Sequence, residues 1–161
     1  MPVKASKARH KRQTGCGAMR TVRQLLDAKG HGIFAVAPDA SVFEAIRLME
    51  AHGVGALLVM EGEKLVGIIS ERDYARKVIL KGKTSKDTLV RDIMTRHVVY
   101  VSPDQTVEDC MALMTGKRVR HLPVLTGAEV VGVISIGDVV KIMISEKDFI
   151  ISEMAKYISG G

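Results

Sequence analysis

Between residues 38 and 77 the apolar positions change period, from the spacing of a helix to that of buried strands, and residues 103–142 repeat the change. Val42, Ala45, Ile46 and Met49 fall at i, i+3, i+4 and i+7, as do Val107, Cys110, Met111 and Met114, so each block predicts one amphipathic helix. Ser41 with Glu44 three residues on forms a capping box ahead of the first helix, and Thr106 with Asp109 is its weaker counterpart. This periodicity makes Cys110 a core thiol rather than a reactive one. Before each helix, "GIFAVAPD" (32–39) and "HVVYVSPD" (97–104) predict a short strand stopped by Pro-Asp, because proline has no N–H for a ladder. After each helix, residues 54–70 and 119–135 hold two apolar runs around a glycine-containing turn, which predicts a hairpin of buried strands. A second helix follows over 71–82 and over 136–145.

These parallels are a duplication. Sliding the chain on itself by 65 residues aligns 38–77 with 103–142 without a gap, and 14 of the 40 positions are identical. The predicted order is strand, helix, strand, strand, helix, twice over. Helices on one face of a small sheet leave its other face open, and the duplicate is available to cover it. The expected fold is therefore α+β, two tandem β-α-β-β-α repeats packed as a pseudo-symmetric pair. Residues 1–20 read as a basic, disordered tail, 21–82 as the first repeat, and 83–145 as a linker with the second repeat. Residues 146–161 read as a further amphipathic helix and tail, with Phe149, Ile150, Met154 and Tyr157 on one face.

Charge changes this picture at one end only. The net charge is +6, and residues 1–20 contribute six cations and no acid, which leaves 18 basic and 18 acidic residues in a neutral body. The tail reads either as a solubilising terminus or as a non-specific contact for nucleic acid or an acidic surface. No apolar run approaches the roughly eighteen residues of a membrane helix, and the basic start lacks the apolar stretch of a secretory signal. Cys16 and Cys110 fit no disulfide or metal framework, so a cytoplasmic setting is expected.

The duplicated phrases "GIISERD" (67–73) and "GVISIGD" (132–138) place Ser70 and Asp73, and then Ser135 and Asp138, where a strand passes into a helix. Helix capping accounts for such a pair: the Ser oxygen accepts from a free backbone N–H and the Asp complements the positive helix end. The same geometry suits a nucleotide, with phosphate at the helix N-terminus and a carboxylate accepting from both ribose hydroxyls. Gly67 and Gly132 in the adjoining strand would let a flat base approach the backbone. The residues alone leave both readings open.

Together with "IMT" (93–95) and "VRHLPV" (119–124), the two phrases and the doubled element order closely resemble paired CBS domains, the Bateman module, over about residues 20–145. The resemblance implies a regulatory module with two clefts for AMP, ADP, ATP, NAD or S-adenosylmethionine and a separate effector protein. A homodimer through the helices is expected because Met49, Met114, Met143 and Ile144 give them more apolar surface than one core covers. It would put Asp73 and Asp138 on ribose, and Ser70 and Ser135 near phosphate. Arg72 and Arg120 would converge on phosphates, unless they serve ion pairs. His121 is either a ligand contact or a structural hydrogen-bonding residue. Val98, Val99, Leu122 and Pro123 would flank a base in the second cleft, with Ile33, Phe34, Ala56 and Leu57 as their counterparts in the first.

Catalysis is not expected. There is no G-x-S-x-G elbow and no phosphate-binding glycine loop, and the first Ser-Asp pair has no accompanying His. The five His residues show no metal-ligand spacing, so neither a metal nor a catalytic cofactor is expected. The rival function is a nucleic-acid-associated protein that uses the basic tail, gated by ligand, although the tail has no aromatic for stacking.

Overall fold

The computed structural model describes residues 20–159. Cys16 and all of the basic tail except Arg20 lie outside the described residues. Arg20 itself is paired with Glu146 at 3.5 Å.

The first repeat comprises β1 (Ala35–Val36), α2 (Val42–His52), β2 (Ala56–Glu61), β3 (Lys64–Ser70) and α3 (Glu71–Lys77), preceded in the chain by α1 (Val22–Lys29). A short segment, α4 (Val90–Ile93), leads into the second repeat: α5 (Val107–Lys117), β4 (His121–Thr126), β5 (Glu129–Ser135) and α6 (Ile136–Ser159). The helices begin where the caps predict. Ser41 and Thr106 accept from the backbone N–H of Glu44 and Asp109, and each such cap is worth about 1 kcal/mol. The full capping box forms at Thr106, whose N–H donates to Asp109 at 3.0 Å, and not at Ser41, because the Glu44 carboxylate holds Arg47 instead. β1 runs parallel to β2, and β2 and β3 form an antiparallel hairpin. β4 and β5 repeat that hairpin, with a bulge at Val124/Leu125 matching the one at Val59/Met60, and both turns use glycine at φ 62°.

Three features depart from expectation. The opening strand of the second repeat shrinks to one parallel bridge, Val101 to Val124. In the first repeat Leu58 N–H donates to Phe34 O at 3.1 Å, whereas the equivalent position in β4 is Pro123, which has no N–H to give. The helix after the second repeat does not stop at 145, because no Gly or Pro interrupts 138–159 and α6 continues unbroken for 24 residues. The third departure concerns α1. It stands ahead of the first repeat in sequence, yet Val22, Leu25 and Leu26 lie in the core of the second, with Val107, Cys110, Met114, Leu122, Ile134 and Val139. Conversely, Val90, Ile93 and Met94 of the segment before the second repeat lie in the core of the first, with Val42, Met49, Leu57, Val59 and Ile69.

Equivalent backbone bonds fix this exchange. Val22 N–H donates to Gln105 O and Arg23 N–H to Pro103 O, just as Val90 N–H donates to Ala40 O and Arg91 N–H to Pro38 O. Each lead-in segment fills the space over a glycine of the opposite strand. A Cβ on Gly132 would lie 2.7 Å from Leu26 Cδ2, and one on Gly67 would lie 2.7 Å from Met94 Sδ. These glycines therefore admit a neighbouring side chain, which replaces the expectation that they expose backbone to a flat base. Cys110 is enclosed in the second core, where burial first, then Asp109 and Glu108, push its thiol up to about 12. It stays protonated and unreactive at neutral pH.

Candidate functional site

Two clefts open where the repeats meet. The first, of about 920 Å³, is lined by Ser70, Arg72 and Asp73 of the first repeat and by Val98, Val99, Arg120 and His121 of the second. The second, of about 480 Å³, is lined by Ser135 and Asp138 of the second repeat and by Phe34, Ala56 and Leu57 of the first. The apolar walls are thus exchanged relative to expectation. Each Ser-x-x-Asp faces the strand wall of the other repeat, as an approximate two-fold relation between the copies requires. Three expected residues line neither cleft: Leu122 is 0 % exposed within the second core, Pro123 is buried in β4, and Ile33 is an exposed residue ahead of β1.

The capping geometry of both Ser-x-x-Asp pairs is present. Ser70 N–H donates to Asp73 Oδ2 at 3.0 Å while Asp73 N–H donates to Ser70 Oγ at 3.2 Å. Ser135 and Asp138 make the same reciprocal pair at 2.8 and 3.2 Å. Each carboxylate also holds a lysine that sequence reading did not single out. Lys77 lies one turn on from Asp73, with Nζ 3.0 Å from Oδ1, and also donates to Ile93 O. Lys29 reaches Asp138 from the end of α1, with Nζ 2.6 Å from Oδ2 and 2.8 Å from Val133 O. Phe34 stacks on His52 with ring centroids 4.1 Å apart, so the aromatic of the second cleft is held in place.

His121 belongs to both clefts, as do Gly55 and Ile68, which makes it part of the partition between them. Burial lowers its pKa, and nearby Lys29 and Arg120 add to this against the opposing pull of Asp138 and Glu71. Burial alone would raise Asp138, but the Lys29 ammonium and the Ser135 N–H and hydroxyl outweigh it and hold the carboxyl below its ordinary value. Both shifts act in the same sense on stability. The neutral His121 contributes fully above about pH 6.5, and that contribution is lost as pH falls from there toward its depressed value; the Asp138 contribution disappears only in stronger acid. His31, whose pKa is raised by the Val131 carbonyl and Asp27, works in the opposite direction. Comparison with His121→Gln removes that background. The variant is expected to flatten the fall in urea midpoint between about pH 7.5 and 5, and an unchanged slope would show that His121 does not carry it.

The same architecture is found in known proteins. The family model of the CBS domain matches residues 27–79 and again residues 90–145. The chain belongs to the CBS domain family. Among relatives of this CBS pair, the CBS domain-containing protein CBSX3, mitochondrial, of Arabidopsis thaliana is 43% identical over 128 residues, 76% of this chain. The match spans 62% of that relative's length. The crystal structure of the CBS domain protein NE2398 superposes with a TM-score of 0.76 and 57% identity, over 78% of this chain and 98% of that one. The CBS domain pair of protein MJ0100, solved with 5′-methylthioadenosine and S-adenosyl-L-methionine, shares the fold at a TM-score of 0.71 and 23% identity, over 80% of this chain and 98% of that one. No helix among the described residues is long and apolar enough to cross a membrane, and no group of His, Cys, Asp and Glu among them could hold a metal ion.

Proposed function

We propose that this CBS pair is a non-catalytic regulatory module of the cytoplasm that binds an adenosyl ligand between its repeats and signals the bound state to a partner protein. The ligand is AMP, ADP or ATP, or else NAD or S-adenosylmethionine. The observation that carries this reading is the reciprocal build of the two clefts, in which a capped helix start and its Asp from one repeat face an apolar strand wall from the other. In each, a carboxylate accepts from the ribose hydroxyls, the apolar wall flanks the base, and the helix start with its nearby cations receives the phosphate. The adenosyl ligands of the MJ0100 pair support the same ligand class here. A ligand bridging both repeats prefers one arrangement of them, and that difference is what a partner can read. A second copy of the chain belongs among the partners, because α6 carries Ile144, Ile151, Met154 and Ile158 largely exposed. Of the other residues expected at such a contact, Met49 and Met114 are buried and Met143 packs on the second core.

Thermal unfolding of the wild type, Asp73→Ala and Asp138→Ala against each ligand tests the reading. At a hundred times its Kd a ligand stabilises by about 2.7 kcal/mol, a Tm rise of roughly 5–10 °C for a chain of this size. Each variant also loses a helix cap, so the comparison is of the ligand-induced rise and not of Tm itself. A rise for one ligand, abolished by one Asp substitution, names both ligand and cleft. No rise with any ligand would return Ser-x-x-Asp to helix capping alone and turn attention to the basic residues 1–20.

A further inference from the structure

The two helices that precede the hairpins end in the same backbone geometry with different residues. α2 is followed by Gly53 at φ 62° and ψ 35°, and α5 by Arg118 at φ 53° and ψ 43°, the equivalent position of the repeat. Glycine adopts this left-handed conformation freely, whereas a residue with a Cβ is strained there. Arg118 is the only non-glycine residue with positive φ among the described residues. Strain of this kind persists where the surrounding structure holds it in place, and such residues cluster at ligand sites.

The surroundings point to such a site. Arg118 lines the first cleft with Arg72, Arg76 and Arg120, and none of the four is ion-paired with a carboxylate among the described residues. Arg72 Nη1 donates to the Arg118 carbonyl at 3.0 Å, a cross-repeat bond that holds two cationic residues side by side. Lys77 and Asp73 neutralise one another, which leaves Glu71 as the remaining carboxylate of that lining. The second cleft offers one lysine, Lys29, already committed to Asp138. Four like charges gathered in one cleft repel until an anion of several charges lies between them.

We infer that Arg118 is a phosphate-reading residue, retained at a strained helix end to make the first cleft the site of a ligand carrying two or more phosphates. This deepens the reading of the clefts as ligand sites and assigns the phosphate chain to one of them.

Calorimetric titration of the full chain with tripolyphosphate, and separately with adenosine, separates the parts of the inference. The wild type is expected to bind one tripolyphosphate per chain. Arg118→Gly should weaken that binding about tenfold or more and leave adenosine binding unchanged. The same variant should raise the Tm of the empty protein by roughly 2–4 °C, because glycine relieves the left-handed residue. Arg118→Lys should retain most of the affinity. Lys117→Ala removes a neighbouring charge that lines neither cleft and should change it less than about twofold. Failure of the wild type to bind tripolyphosphate, equal binding by Arg118→Gly, or an equal loss in Lys117→Ala would overturn the inference, and so would an unchanged or lower Tm for Arg118→Gly. Tripolyphosphate binding that depends on Arg118, in a protein that takes no adenosyl ligand, would uphold it while removing the adenosyl reading.

Discussion

Truncation of Leu26 to alanine is expected to destabilise the protein by about 2–5 kcal/mol, a fall in Tm on the order of 10 °C. Leu26 is 1 % exposed and lies among Leu122, Val124 and Ile134, so its loss opens a cavity in the second repeat, whose family match begins at residue 90. The partner of this side chain is Gly132, and the pair can be tested as a cycle. Gly132→Ala alone should cost about 1–3 kcal/mol, because the new methyl meets the Leu26 methyls at 2.7 and 2.9 Å. In the double variant the methyl added at position 132 occupies part of the space Leu26 vacates. The two costs should then fall short of additivity by at least about 0.5 kcal/mol. Strict additivity in urea unfolding would mean that α1 does not pack over β5 as described.

Gly67→Ala is expected to cost about 2–3 kcal/mol, and here removal of the neighbour should not restore stability. A Cβ at Gly67 meets Met94 Sδ at 2.7 Å, but it also meets the backbone oxygen of Thr95 at 3.0 Å. Methionine is flexible and can swing aside. Thr95 cannot, because its N–H and C=O both pair with Ile68, at 2.8 and 3.0 Å. Combining Gly67→Ala with Met94→Ala should therefore remain clearly less stable than Met94→Ala alone. Equal stability of those two proteins would locate the whole clash in the Met94 side chain.

The two glycines also show how far the sequence could be read. Their identity in both copies was visible, since Gly67 and Gly132 align in the 65-residue slide. What covers them was not. Leu26 and Met94 belong to the related stretches "VRQLL" (22–26) and "VRDIM" (90–94), which are 68 residues apart and so fall out of register with the rest of the repeat. Arg118 carries a legible signal, an arginine aligned with Gly53 at a helix end. Pro123 likewise announces the loss of a ladder bond in the second copy. Lys29 has none, because its partner Asp138 lies 109 residues away.

The sequence by itself determined the elements, their caps and turns, and the doubling of the unit, because each depends on groups a few residues apart: a period of apolar positions, a hydroxyl three residues before an N–H, a glycine at a turn. The tertiary structure alone decided which repeat each lead-in segment completes and which strand wall each Ser-x-x-Asp faces. Those outcomes depend on burial between residues distant in the chain, and an apolar side chain carries no record of which apolar surface will cover it.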